Sequence, residues 1–349
     1  MKYLEWLSSK TQTKWWHDSA IPSEIDEAIQ LGAMGVTTNP ILTFKALEAD
    51  PAYWAPELAK IPGNIVGTPR VEALLKVIAL AAAGKFRAIF DETKARHGYA
   101  LAQVNPSYAG NTKEMLEQGL RYASWAENIA VKVPTTKAAL PVIEELAAKG
   151  IAVCTTLNFS VSQAIAASQA YERGLKRAKK NGIPLRPCFI VQQGGRLDEY
   201  LMDVIEDNGV SIEKENGLWA GNAVCRRSYR ILQEQGSSAL IMPAGLRGSH
   251  HLSVMAGAKM VFSLQARMQH LVNSEDLPQE EHINEEIDEK IIKDLLKVNE
   301  FERAYKIEGQ RPGDFITFGV MQRTLSQFLW TGWVPLETYG TTEKSQRWF

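Results

Sequence analysis

Asn128-Ile-Ala-Val-Lys-Val-Pro134 reads as a short buried strand broken by one charge. A lysine is rarely fully buried without a partner. If Lys132 points into a packed interior, desolvation disfavours its ammonium form and lowers its pKa. A neutral amine can then attack a ketone and form a Schiff base. The alternative is a strand-end lysine whose head reaches water while its stem stays buried. The heptapeptide leaves both readings open.

Working outward, further strand-like runs lie at 14–18, 32–40, 99–104, 151–157, 187–192, 238–243 and 258–263. Between them the spacing predicts helices. Pro22 and a Ser23/Asp26 capping box open one that runs to about 31. The stretch 41–98 is mostly helical, clearest at 71–83, with a loop near Pro62-Gly63. Others are expected over 112–125, 137–148 (closed by Gly150), 160–180 and within 220–235. Strands alternating with helices over short connections indicate a parallel sheet. About eight repeats over roughly 250 residues fit a (β/α)₈ barrel better than an open doubly wound sheet. No GxGxxG follows the first strand and no Walker A motif is present, which disfavours nucleotide-binding α/β folds. Residues 274–290 are acid-rich and predict a solvated loop. From 291 to 329 the amphipathic pattern returns, interrupted at 309–312, and it offers extra helices to cover the barrel or another subunit. The tail after Trp330 has no periodicity.

The chain has 349 residues, 45% of them hydrophobic and 23% charged, with a net charge of −1. That balance gives no electrostatic case for nucleic acid or an anionic membrane. The first residues lack a long apolar core and a small-residue cleavage pattern, so no secretory leader is expected. No apolar run is long enough to span a bilayer. Cys154, Cys188 and Cys225 are far apart and form no CxxC pair; they are expected to be reduced thiols of a cytoplasmic protein.

In a parallel barrel the site forms at the C-terminal strand ends. The polar residues there are Asp18, Thr37, Thr38, Asn39, Gln103, Lys132, Thr156, Arg196 and Arg247. Singly, each has a structural explanation: a helix cap, a turn residue, a group satisfying buried backbone, a surface charge. Together they suit one reaction. A neutral Lys132 condenses with a ketose carbonyl, and the iminium draws electrons from the neighbouring carbon–carbon bond. Asp18 takes the proton of the adjacent hydroxyl. Asn39, Gln103 and Thr156 hold a three-carbon fragment and a water. Two arginines clamp a phosphate with planar, bidentate geometry.

The chain resembles the transaldolase family, including its fructose-6-phosphate aldolase branch, over about residues 14–330. The resemblance rests on Gly35-Val-Thr-Thr-Asn-Pro40 with Asp18 upstream, and on Ile129-Ala-Val-Lys-Val-Pro-Thr-Thr136. Thr156-Leu-Asn-Phe-Ser160 with Gln163-Ala164, Gly195-Arg-Leu-Asp198, Phe301-Glu-Arg-Ala-Tyr305 and Thr324-Leu-Ser-Gln-Phe328 extend it. It implies a single (β/α)₈ domain over 1–349, with the barrel at about 14–270 and a helical extension at about 283–349. It implies a metal-free, cofactor-free Schiff-base enzyme of carbohydrate metabolism, with sugar phosphates as partners and a homo-oligomeric state. By the same match Lys132 forms the Schiff base and Asp18 is the acid–base residue. Thr156 and Gln103 handle the catalytic water. Asn39 holds the dihydroxyacetone fragment, Thr37 is a further substrate-binding residue, and Arg196 and Arg247 bind phosphate.

Five positions depart from the family pattern. Gln103 stands where many transaldolases have glutamate and agrees with the aldolase branch. Gln193 replaces that branch's tyrosine. Cys154 replaces an asparagine, Val191 a serine, and Gly245 a phosphate-binding serine, for which Ser249 is the nearby substitute. Overall coverage favours dihydroxyacetone transfer; Gln103 favours an aldolase (a lyase) that releases it; a sugar-binding barrel without turnover is the third reading. Ser249-His250-His251 has no acid partner at matching spacing and reads as loop histidines rather than a metal pair.

Overall fold

The computed structural model describes residues 1–341. Seven strands alternate with helices: β1 (Lys14–His17), β2 (Ala100–Gln103), β3 (Ile129–Pro134), β4 (Val153–Asn158), β5 (Cys188–Gln192), β6 (Leu240–Pro243) and β7 (Val261–Leu264). Every pairing is parallel. One ladder runs β2-β3-β4-β5-β6, and a second pairs β1 with β7.

The expected strand at 32–40 is reduced to Val36, which bridges His17 on one side and Ala100 on the other. Its neighbourhood still bonds as a strand does. Met34 N–H donates to the Trp15 carbonyl, Thr37 N–H to that of His17, and Val36 N–H to that of Tyr99. The stretch is short because both ends are committed elsewhere. Gly32 turns the chain at φ 95°, and Asn39 caps the helix Pro40–Ala49. Through Val36 the two ladders become one series, β7-β1-Val36-β2-β3-β4-β5-β6. β6 and β7 approach within 8 Å between Cα atoms, but no ladder pairs them.

Side chains alternate between two buried faces. On β3, Ile129, Val131 and Val133 join a large apolar cluster shared with the helices, while Ala130 joins a second, smaller cluster. That second cluster gathers Trp16, Leu101, Cys154, Phe189, Met242 and Val261 from six strands. Strand alternation puts Lys132 on the face of Ala130, not on the helix face. The rings of Trp16 (β1) and Phe189 (β5) lie 4.4 Å apart between centroids. These strands are five places apart in the series, roughly 24 Å across a flat sheet at about 4.8 Å per strand. The sheet therefore curls on itself, bringing its distant strands together around this smaller cluster.

The helices follow the expected stretches, with corrections. Thr68–Lys85 covers the clearest one, and Val161–Lys180 follows a cap in which Ser160 accepts from Gln163 N–H. Ser23 is not a cap: the helix is Pro22–Gln30, and Ile21 precedes it without a side-chain bond. Proline at the first helical position, with fixed φ and no N–H to satisfy, sets that start. Tyr3–Lys10, Gly194–Asn208 and Ala266–Ser274 are helices that the pattern did not foretell. The region 289–328 is helical in three pieces, Glu289–Leu295, Asn299–Tyr305 and Gly319–Phe328. The sequence past Trp330 continues in helical turns to Leu336. Among the described residues no helix is long and apolar enough to cross a membrane.

Candidate active site

A cleft of about 160 Å³ opens where the strands end. Lys132, Asp18, Thr37, Asn39, Arg196 and Arg247 all line it. These residues come from stretches far apart in sequence, so the fold brings together the main group read from the chain.

Lys132 is 4% exposed, and its amine makes no hydrogen bond to another described residue. Burial lowers its pKa from the ordinary 10.5; Cys154 and Asp18 oppose this and Arg196 adds to it. The snorkelling alternative is thereby excluded, because the head stays inside. Cys154 is its register partner on β4, and burial pushes that thiol up to about 12. A thiol held neutral cannot neutralise the ammonium, so the amine stays free to shed its proton.

Asp18 follows β1. Thr37 Oγ1 donates to Asp18 Oδ1 at 2.6 Å. Ser263 Oγ lies 2.7 Å from Thr37 Oγ1 and, with that proton already given to Asp18, acts as the donor. The carboxylate is thus fixed at one oxygen by a relay from β7, and its other oxygen has no bond among the described residues. Asn39 has a double position. Its Oδ1 accepts from Leu42 N–H at 3.0 Å, capping the next helix, while the residue still lines the cleft.

Gln103 is the register partner of Lys132 on β2. Thr156 is two residues beyond Cys154 on β4, on the same face. Neither forms the cleft wall; both are buried. Gln103 Oε1 and Thr156 Oγ1 are buried without a hydrogen-bond partner. Each is open to a water or a substrate hydroxyl, since buried polar atoms of native proteins are nearly always paired.

The far end of the cleft is cationic but unequal. Arg196, in the first turn of Gly194–Asn208, bonds to Gln327 Oε1 and stacks over Phe328 at 5.8 Å. Arg247 is clasped by Glu199, with Nε and Nη2 reaching its two oxygens at 2.5 and 2.9 Å. Ser249 does not line the cleft; it precedes the short helix His250–Ser253. The structure also corrects the histidines. His251 is buried, and its Nε2 lies 2.7 Å from Asp198 Oδ2, an acid partner 53 residues away. Burial raises the Asp198 carboxyl, offset in part by His251 and by Gly221 N–H, which donates at 2.6 Å. Ser263, Gln265, Gln327, Phe328 and Lys45 also line the cleft and were not singled out. Ser263 sits at a strand end, where the same rule could have found it; Gln327 and Phe328 come from the last long helix, which no strand-end rule covers. Among the described residues no group of three His, Cys, Asp or Glu side chains could hold a metal ion.

The site is thus an interior lysine on β3 of a curled parallel sheet. Residues 15–310 match the family model for transaldolase/fructose-6-phosphate aldolase, and the chain belongs to that family. It is similar to "Transaldolase 2" of Streptomyces avermitilis, 33% identical over 58% of this chain and 56% of that protein. It is also similar to "Transaldolase 1" of the same organism, 27% identical over 65% and 62% of the two chains. "Transaldolase" of Neisseria meningitidis serogroup A is 31% identical over 53% and 54%. The aligned region thus spans little more than half the length of these relatives.

Proposed function

We propose that the chain is one (β/α)₈ barrel domain with a helical extension, and that it transfers a dihydroxyacetone unit through a Schiff base on Lys132. The curled sheet supports the barrel: both faces of each strand are buried, and Trp16 meets Phe189 across the interior. The single observation that carries the chemistry is Lys132, an interior amine with a lowered pKa beside a carboxylate-bearing cleft.

In this reading the neutral Lys132 Nζ attacks the ketose carbonyl carbon, water leaves, and an iminium remains. Asp18 accepts the proton of the hydroxyl on the far carbon of the bond to be broken. The carbon–carbon bond breaks, the aldehyde departs, and the electron pair stays on the lysine-bound fragment as an enamine. Thr37 holds Asp18 in place, and Asn39 binds fragment hydroxyls. Gln103 and Thr156 position the water that forms and later hydrolyses the iminium. Arg196 and Arg247, at the far end, bind the phosphate or an analogous group of the donor and acceptor; Ser249 serves there only if its loop moves toward the cleft. The acceptor is an aldose phosphate, which places the reaction in cytoplasmic pentose phosphate metabolism, with a homo-oligomer as the working form.

One observation favours a second outcome. Gln103 is an amide and can orient water but cannot exchange a proton with it. Release of dihydroxyacetone without an acceptor, a lyase reaction, is then the alternative. The test is glyceraldehyde 3-phosphate production from fructose 6-phosphate, with and without erythrose 4-phosphate. Product only with acceptor supports transfer; product without it supports cleavage; no product in either case rejects fructose 6-phosphate as donor.

A further inference from the structure

One face of the helix Gly194–Asn208 grips the loop that carries Arg247. Gly195, Asp198 and Glu199 stand at i, i+3 and i+4, so they share that face. A Cβ on Gly195 would come within 2.4 Å of the Gly245 carbonyl and 2.7 Å of Arg247 Cγ, so the loop backbone rests on bare helix. Asp198 holds His251, whose other ring nitrogen, Nδ1, accepts from Arg247 N–H at 3.4 Å. Glu199 takes the guanidinium fork, and Arg247 Nη1 donates to the Gly245 carbonyl at 2.8 Å. The edge of Arg247 that would hold two phosphate oxygens is therefore already occupied by a carboxylate of matching geometry. Arg196, one residue off the gripping face, has no carboxylate partner among the described residues; its one side-chain bond is to an amide.

Around Arg196 the wall turns to neutral polar groups. Gln193, Gln265 and Gln327 line the same cleft. Gln193 is 7% exposed, and its Oε1 is buried without a partner. A buried amide oxygen without a partner, on a residue that lines the cleft, is an acceptor for a sugar hydroxyl that reaches it.

We propose that Glu199 is a specificity-determining residue that lowers the cleft's affinity for dianionic phosphate, so that the site discriminates less between a phosphorylated ketose and its unphosphorylated counterpart than two free arginines would. This deepens the Schiff-base reading of the same cleft and rests on it for the word ketose, but the anion end can be tested alone. A phosphate reaching Arg247 must displace Glu199 or sit beside its negative charge. Arg196 offers one fork and Lys45 a single ammonium at the cleft wall, and Gln193 Oε1 accepts from a hydroxyl but not from an unprotonated phosphate oxygen.

The test is calorimetric binding of inorganic phosphate to the wild type, Glu199→Gln and the double variant Glu199→Gln/Arg247→Met. Loss of an exposed bidentate pair predicts phosphate binding about threefold tighter or more in Glu199→Gln. The gain disappears in the double variant, which shows that it is made at Arg247. Unchanged or weaker phosphate binding in Glu199→Gln, or no measurable binding in either protein, overturns the proposal; weaker binding would mean that Glu199 orients Arg247 toward phosphate. A companion measurement compares half-saturation by fructose 6-phosphate and fructose in borohydride trapping. The phosphorylated sugar should improve relative to fructose in Glu199→Gln. Absence of trapping with either sugar would reject the Schiff-base reading and leave the phosphate result standing by itself.

Discussion

Gln103 and Lys132 are register partners across the parallel β2–β3 ladder, an amide beside an amine in the buried interior. The amide carries no charge, so nothing on β2 offsets the burial that lowers the lysine's pKa. Replacing it with a carboxylate, Gln103→Glu, places an opposite charge next to the ammonium and favours the charged form. The expected outcome is that the pH at which Lys132 becomes half reactive toward borohydride trapping moves up by about one unit or more. A pH profile of trapping measures it; an unmoved or downward-shifted profile contradicts the arrangement.

The lowered Lys132 pKa also links stability to pH. The folded chain releases a proton that the unfolded chain keeps, up to the ordinary lysine value of 10.5. In the window between the lowered pKa and 10.5 the unfolded state binds more protons, so stability rises with pH there. Lys132→Met removes this link. The variant should be more stable than wild type at neutral pH, by about 1.4 kcal/mol for each unit of lowering, and the gain should vanish near pH 10.5. Urea denaturation at a series of pH values reads the difference; a constant difference would show that desolvation of the amine is not its source.

Asp198 and His251 form a buried pair that joins the Arg196 helix to the Arg247 loop. Removing one partner leaves a buried polar group unsatisfied. His251→Ala is expected to cost about 3–5 kcal/mol. It should also weaken anion binding in the cleft, because the Arg247 N–H loses its acceptor. Chemical denaturation and phosphate titration check the two effects together. A loss of stability with phosphate binding intact would separate the pair from the loop.

Gly35 lies against the Trp16 ring, where an added Cβ would stand 2.5 Å from Cε2. Trp16 is fully buried and pinned by Phe189 and Tyr99, so it has no room to give way. Gly35→Ala should cost about 1–3 kcal/mol through overpacking. A denaturation midpoint equal to wild type would show that the interior around Trp16 is loose.

The alternating strands and helices were legible because their apolar runs and turn residues are local signals. Lys132 was legible as a charge out of place in an apolar run, and Asp18, Asn39, Arg196 and Arg247 as polar residues at strand ends. The helix Gly194–Asn208 was hidden by the glycines that open it, which are poor helix formers. They are glycine because the helix start packs against backbone, Gly194 against Gly221 and Gly195 against Gly245. The second strand was overread, since its residues spend their bonds on two neighbours at one position and then cap a helix. His251 looked like a loop residue because its partner is 53 positions away. The clasp of Glu199 on Arg247 was invisible for the same reason: a contact between a helix and a loop 48 positions on leaves no mark in either stretch.

The central claim is that Lys132, an interior amine whose pKa burial lowers, captures a ketone. Its most direct test is incubation with dihydroxyacetone and borohydride at neutral pH, followed by mass spectrometry of the intact chain and its peptides. The prediction is one reduced three-carbon unit per chain, located on Lys132, and none in Lys132→Met. Modification spread over surface lysines, or none at Lys132 while the protein remains folded, would contradict it.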